Sequence, residues 1–114
     1  METQNKKMIQ DAYKERIVTG GVYAIKNTTN DKNLLLSTND LQGSKNRFDF
    51  SKKTGSCVNL KLQADWDEFG ADAFIFDTLD ILEKTVAQTQ KEFSDDLKLL
   101  LEIWLGKTAP EKLY

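Results

Sequence analysis

The chain has 114 residues, of which 39% are hydrophobic and 30% charged, so it is long enough for one folded domain and too short for a second core. One cysteine and no histidine exclude an internal disulfide, a cysteine-rich zinc site, histidine metal ligands and a histidine general base. The net charge is −2, which by itself argues against a nucleic-acid-binding protein.

The charges are divided unevenly along the chain. Residues 1–64 contain 11 Lys or Arg against 6 Asp or Glu, a net charge of +5, whereas residues 65–114 contain 5 against 12, a net charge of −7. If the fold places the two halves on different sides, this acidic molecule has a basic face suited to phosphate. The alternative is that both halves are ordinary solvated surface.

The sequence also predicts where the protein resides. No apolar run approaches the roughly 20 residues that span a bilayer, and the start METQNKKMIQ lacks the apolar stretch of a secretory signal. The lone Cys57 is typical of a reducing compartment. We therefore expect a cytoplasmic protein with no membrane partner.

The first predicted element is a short amphipathic helix within residues 1–19, because apolar side chains recur there at helical spacing. Two consecutive glycines follow and end it. The chain therefore divides into an N-terminal helix over 1–19 and a single domain over 20–114.

A β-hairpin is predicted next, over residues 22–38. VYAIKN alternates as a half-buried strand does, with Val22 and Ala24 on one face and Tyr23 and Ile25 on the other. TTND supplies turn-forming residues, and the apolar run NLLLST is suited to the second strand.

Two helices are predicted after the hairpin. Asn39 or Asp40 can cap a helix that starts at Leu41, and KKTGS at 52–56 has the composition of a loop. Apolar residues at mostly helical intervals predict a second helix over 58–69, which the following glycine ends.

A third strand and a last helix complete the domain. AFIFDTLDIL alternates at Phe74, Phe76 and Leu79, and residues 89–105 repeat apolar side chains every three or four positions until Gly106. The order of elements predicts an α/β chain of the α+β type, with a three-stranded antiparallel-type sheet flanked by helices.

Three stretches resemble the GIY-YIG nuclease family. GVYAIKNTTNDK resembles the first half of the family motif, in which a Gly-Ile-Tyr strand precedes a Tyr-Ile-Gly strand. CVNLKLQADWDEFGADAFIFDTLDIL resembles the family's helix, glycine and short strand, and LLLEIWLGK resembles its final helix. The resemblance runs from about Gly20 to Leu105, is closest to the nuclease modules of phage homing endonucleases, and implies a GIY-YIG-like fold with an extra N-terminal helix.

The resemblance implies hydrolysis of one DNA strand. A tyrosine would help to activate water, an arginine would hold the scissile phosphate, and a glutamate would bind a divalent metal. The chemistry of these side chains suits their roles, because a guanidinium neutralises phosphoryl charge and a carboxylate supplies the hard oxygen ligand that a divalent metal prefers. The implied partner is DNA, and the implied cofactor of an active enzyme is Mg²⁺ or Mn²⁺.

Most of the implied catalytic residues are replaced in this sequence, and Tyr23 is the one motif tyrosine that carries over. Loss of the metal ligand together with the arginine that holds the phosphate is expected to abolish nearly all catalysis, since each such group lowers the activation barrier by ~3 kcal/mol. The replaced positions hold Leu34 for the second tyrosine, Leu36 for the glycine after it, Ser44 for the arginine, Phe48 for a histidine or tyrosine, and Leu101 for the glutamate.

Two charged residues near the replaced positions are candidate substitutes. Arg47 lies one helical turn beyond Ser44 on the same face, so it is a candidate phosphate contact, with exposed surface charge as the alternative. Glu102 is a candidate metal ligand, but one step from Leu101 rotates it about 100° around the helix, and solvated surface is its alternative. Tyr23 is either a catalytic residue or a packing tyrosine with its hydroxyl at the sheet edge.

The sequence leaves three functions open, and with them the question of enzymatic activity. The first is a catalytically degenerate GIY-YIG-like domain that keeps weak DNA binding. The second is a protein-interaction or structural module whose acidic half and N-terminal helix contact a protein partner or a second copy. The third is an active metal-dependent DNA endonuclease with a rebuilt site. The candidate nucleic-acid contacts are Lys26, Lys32, Lys45, Arg47, Lys52, Lys53 and Lys61.

Overall fold

A computed structural model describes residues 19–57 and 59–114, which form a three-stranded antiparallel sheet flanked by helices. This architecture confirms the predicted α+β fold class. The helix predicted within residues 1–19 lies outside the described residues, except for Thr19, which begins the first strand.

The strands are β1 (Thr19–Asn27), β2 (Lys32–Thr38) and β3 (Phe74–Glu83), in the order β2-β1-β3. The α-helices are α1 (Leu41–Thr54), α2 (Gln63–Phe69) and α3 (Gln90–Lys107).

The first two strands form the predicted hairpin. Tyr23 pairs with Leu36, and Ile25 pairs with Leu34. Because directly paired residues of antiparallel strands point to the same face of the sheet, these four side chains share one face. The predicted alternation along β1 is therefore confirmed.

Helices cover both faces of the sheet. On the face of Ile25, α1 and α2 enclose a cluster of buried side chains, whereas α3 packs Phe93 and Leu97 on the opposite face. Gly20 allows this close approach, because a Cβ there would lie 2.9 Å from the Phe93 ring. The described buried members of the first cluster are Ile25, Leu34, Phe48, Leu62, Trp66, Ala73 and Phe74.

A bulge interrupts β3 and changes which of its residues face each helix. Tyr23 pairs with Thr78 and Val22 pairs with Asp80, so Leu79 has no partner on β1. The strict alternation of Phe74 and Phe76 therefore does not continue beyond Thr78, because one extra residue shifts the following side chains to the other face. The shift turns Asp80 towards α3, where it accepts a hydrogen bond from the Trp104 Nε1–H at 3.1 Å.

The loop predicted over residues 52–56 is wrong for its first three residues, because α1 continues to Thr54, and is confirmed for Gly55 and Ser56. The Asp40 side chain caps the first turn by accepting from the Gly43 N–H at 3.0 Å. Gly55 ends the helix in the left-handed conformation, with φ at 78°. Two lysines in the last turn favour this continuation, since cations stabilise the negative end of the helix dipole.

The two later helices also differ in extent from the prediction. Asn59 is extended, residues Leu60–Leu62 form a 3₁₀ turn, and α2 begins only at Gln63. Leu60 fits the helical period on which the prediction is based, but its side chain is 89% exposed and does not face the core. The last helix passes through Gly106 and ends at Lys107.

The final residues pack against the hairpin. The Tyr114 N–H donates to the Asn33 carbonyl at 3.0 Å, next to a parallel bridge between Asn33 and Leu113. The Tyr114 hydroxyl donates to Asp65 at 2.7 Å and accepts from the buried Asn27 amide at 2.9 Å. None of the helices in the described ranges is both long and apolar enough to cross a membrane.

Candidate functional site

A cleft of about 140 Å³ opens between the hairpin and α1, on the face of the sheet that carries Tyr23. Strand alternation brings side chains of β1 and β2 to its floor, and the α1 helix supplies one wall. The described residues that line it are Tyr23, Ile25, Leu36, Ser44, Arg47, Phe48 and Asn59.

Tyr23 packs against an aromatic neighbour in this cleft. Its ring stacks on Phe76, with 4.5 Å between the centroids and 17° between the planes. Burial raises the pKa of the Tyr23 phenol above its ordinary value, and the nearby Ser44 hydroxyl and Arg47 charge oppose this rise only in part. The phenol is therefore protonated at neutral pH, and it can hydrogen-bond to an anion or a water.

Arg47 reaches back along α1 into the same cleft. Its Nη2 donates to the Ser44 hydroxyl at 3.2 Å, and that hydroxyl donates to Thr38 Oγ1 at 2.8 Å. The guanidinium thus lies beside the position at which the resemblance expects an arginine. The structure brings together Tyr23 and Arg47, but their roles towards a ligand remain predictions.

Two of the substituted leucines lie on the cleft side of the sheet. Leu34 is only 5% exposed and belongs to the core cluster, and Leu36 packs against that cluster and lines the cleft. Leu101 is half-buried on α3, and it belongs neither to the described core cluster nor to the described lining of the cleft. Hydrocarbon therefore lines the cleft where the resemblance places a glycine, and packs in the core cluster where the resemblance places a tyrosine.

The structure separates the predicted lysine contacts from one another. Lys26 forms an ion pair with Asp31 at 3.0 Å at the hairpin turn, and Lys45 forms one with Asp49 at 3.0 Å along α1. Lys52 donates to the Phe74 carbonyl at 2.9 Å, so its ammonium is engaged within the fold. Lys53 is exposed at the end of α1.

The side chains that line the cleft do not form a suitable set of ligands for a divalent metal. Mg²⁺ and Mn²⁺ favour carboxylate oxygens, and the described lining residues include no Asp or Glu. Across residues 19–57 and 59–114, no three Asp, Glu or Cys side chains come together in a way that could hold a metal ion. Glu102 is exposed on α3, and its role as a ligand remains a prediction.

Sequence reasoning missed two contributors to the cleft. Thr38 accepts a hydrogen bond from the Ser44 hydroxyl of the lining. Asn59 lines the cleft, and its side chain accepts from the Lys61 N–H at 2.9 Å. An Asn before an apolar residue signals a capped turn, but no local pattern indicates that this turn meets the hairpin.

Comparison with solved structures identifies the fold. The chain is similar to the catalytic domain of the intron endonuclease I-TevI in a single-residue mutant, with a TM-score of 0.57, 22% identity, and coverage of 78% of this chain and 82% of that one. It is likewise similar to the catalytic domain of the homing endonuclease I-TevI, with a TM-score of 0.55, 23% identity, and coverage of 77% and 86%. No family model matches the sequence, and neither does a curated protein. The chain has a GIY-YIG-like nuclease fold.

Proposed function

We propose that this chain is a catalytically degenerate GIY-YIG-like domain that binds DNA through the cleft without cutting it. The observation that carries the proposal is the composition of the cleft. Arg47 and the Tyr23 hydroxyl offer donors to an anion, while the described lining includes no carboxylate. Such a set can hold a phosphate but cannot hold a divalent ion beside it.

Two missing groups weigh against cleavage. Preorganised groups that stabilise transition-state charge are each worth ~3 kcal/mol, so losing both the metal ligand and the arginine in its catalytic position costs roughly 10⁴-fold in rate. Arg47 restores positive charge from the next helical turn, but no described side chain of the cleft replaces the carboxylate.

Charge and fold together favour DNA binding. Arg47 lines the cleft, Lys53 and Lys61 are exposed on neighbouring segments, and both similar structures are catalytic domains of an endonuclease. Phosphate contacts of this kind release counterions, so binding weakens steeply as salt rises. DNA is accordingly the proposed partner.

Titration of a labelled DNA duplex at several salt concentrations tests the proposal. Arg47→Ala should lower affinity at low salt and reduce the salt slope by about 1, as expected for one lost phosphate contact. The matched control is Lys98→Ala, which also removes one exposed cation but lies on α3, across the sheet from the cleft. Equal effects of the two variants would contradict a role for the cleft, and an absence of binding would refute the proposal.

A nuclease with a rebuilt site is the alternative that Arg47 itself favours. In that case Mg²⁺ or Mn²⁺ would support nicking of supercoiled plasmid, and Tyr23→Phe would abolish it. The proposal predicts no nicking with either metal.

A protein-interaction module is the second candidate, and one observation favours it. Leu99 and Ile103, four residues apart on α3, are 58% and 46% exposed. Exposed apolar pairs on one helix face are typical of contact surfaces. Sedimentation velocity would support this candidate if the chain self-associates and a Leu99→Ser variant does not, while DNA binding is absent.

A further inference from the structure

Two segments that contribute side chains to the cleft also carry a large exposed apolar side chain, Phe50 on α1 and Leu60 after Asn59, and we call this pair the rim. Phe50 is 67% exposed on α1, whereas the buried side of that helix consists of Leu41, Ser44, Phe48 and Ser51. Phe50 lies three residues after Arg47, and side chains at this spacing are neighbours on a helix surface. An exposed aromatic ring therefore stands one helical turn after Arg47, whose guanidinium turns back to Ser44 in the cleft.

The segment around Asn59 repeats this pairing of apolar and polar groups. Asn59 lines the cleft, and the next residue, Leu60, is 89% exposed. Lys61 follows and is also exposed. Because burying large apolar groups is favourable, side chains left this open are typical of contact surfaces rather than of folding.

The charges around the rim favour an anionic ligand. Arg47 and Lys53 flank Phe50 at three-residue spacing on α1, so one basic residue lies a helical turn before the ring and another a turn after it. The acidic neighbour Asp49 is paired with Lys45 at 3.0 Å. A ligand that suits this arrangement carries negative charge and exposes flat apolar faces.

From these observations we infer that the rim binds unpaired nucleotides of single-stranded nucleic acid, with a base stacked on Phe50 and an adjacent phosphate at Arg47. The inference rests on the proposed function and specifies its substrate class. A duplex hides its base faces within the stack, so it can reach Arg47 but cannot stack on Phe50. Stacking platforms of this kind tolerate any base, because every base has a π-face.

Fluorescence anisotropy with the full chain tests the inference. The probes are a labelled oligothymidylate and a labelled duplex of equal length, both at low salt. Phe50→Ala should weaken binding of the single strand by roughly 5- to 150-fold, the range of base–aromatic stacking, and should change duplex binding less than about twofold. Phe50→Trp should retain single-strand affinity. Phe69→Ala, the same truncation at a ring that is 41% exposed on α2, should change neither.

Further variants separate base stacking from a simple apolar contact. If Phe50→Leu keeps full affinity for the single strand, the contact needs no aromatic ring and the inference is overturned. Equal loss for both probes would overturn it as well, as would unchanged binding by Phe50→Ala. Self-association that depends on Phe50, without nucleic-acid binding, would overturn it by assigning the rim to a protein contact.

Failure of this inference and failure of the proposed function give different results. If the duplex binds in an Arg47-dependent way while Phe50 has no effect on the single strand, the proposed function stands and the inference fails. If neither probe binds at low salt, both fail.

Discussion

Replacing Leu34 with alanine tests whether the side chain at the position where the resemblance expects a tyrosine is part of the core. Leu34 is only 5% exposed and packs in one cluster with Ile25 and Phe48. Truncating a leucine at such a site removes its transfer free energy and leaves a cavity, which together cost about 2–5 kcal/mol. For a chain of this size, a loss of about 3 kcal/mol lowers Tm by roughly 12 °C.

Urea unfolding followed by circular dichroism provides the assay. The midpoint should fall for Leu34→Ala while the slope m stays unchanged, because the folded and unfolded states keep their compactness. Leu60→Ala is the matched control, since the same atoms are removed from a side chain that is 89% exposed, and its effect should stay within about 0.5 kcal/mol. A loss below about 1 kcal/mol at Leu34 would refute the view that this position is packed core.

Three further predictions concern the frame around the cleft. Gly21→Ala should destabilise the fold by more than about 2 kcal/mol in urea unfolding, because its Cβ would lie 2.0 Å from the Asp80 carbonyl oxygen; a neutral effect would contradict the strand pairing. Tyr114→Phe should cost about 1 kcal/mol by the same assay, since its hydroxyl bonds both Asp65 and Asn27; unchanged stability would show that the network contributes nothing. The Tyr114 hydrogen bond holds the pKa of Asp65 below its ordinary value. The ionised Asp65 carboxylate therefore stabilises the fold above about pH 4, and this stabilisation is lost as the pH falls further. Asp65→Asn should therefore flatten the acid limb of stability against pH, and an unaltered limb would contradict the assignment.

Several elements could be predicted because neighbours in sequence decide them. Alternating residues and a polar turn specify the hairpin, and Asp40 caps α1 as its side-chain chemistry predicts. Arg47 could be placed near Ser44 for the same reason, since one helical turn separates them. Each of these predictions depends only on residues that are close together in the sequence.

Other features depend on contacts that no local pattern reveals. The bulge at Leu79 comes from the pairing of β3 with β1, and it reverses the faces of the residues that follow. Leu60 has the period of a buried helical residue, yet no partner element covers it in the described structure. The hydrogen bond between Asn27 and Tyr114 joins residues 87 positions apart, which is beyond the reach of periodicity.

Nicking of supercoiled plasmid tests the central claim most directly. The full chain is incubated at low salt with Mg²⁺ or Mn²⁺, at a protein excess that retards the plasmid, and the nicked fraction is measured over time. A degenerate cleft that still binds DNA predicts retardation with no nicking above the protein-free control. Metal-dependent nicking that disappears in Tyr23→Phe would contradict it.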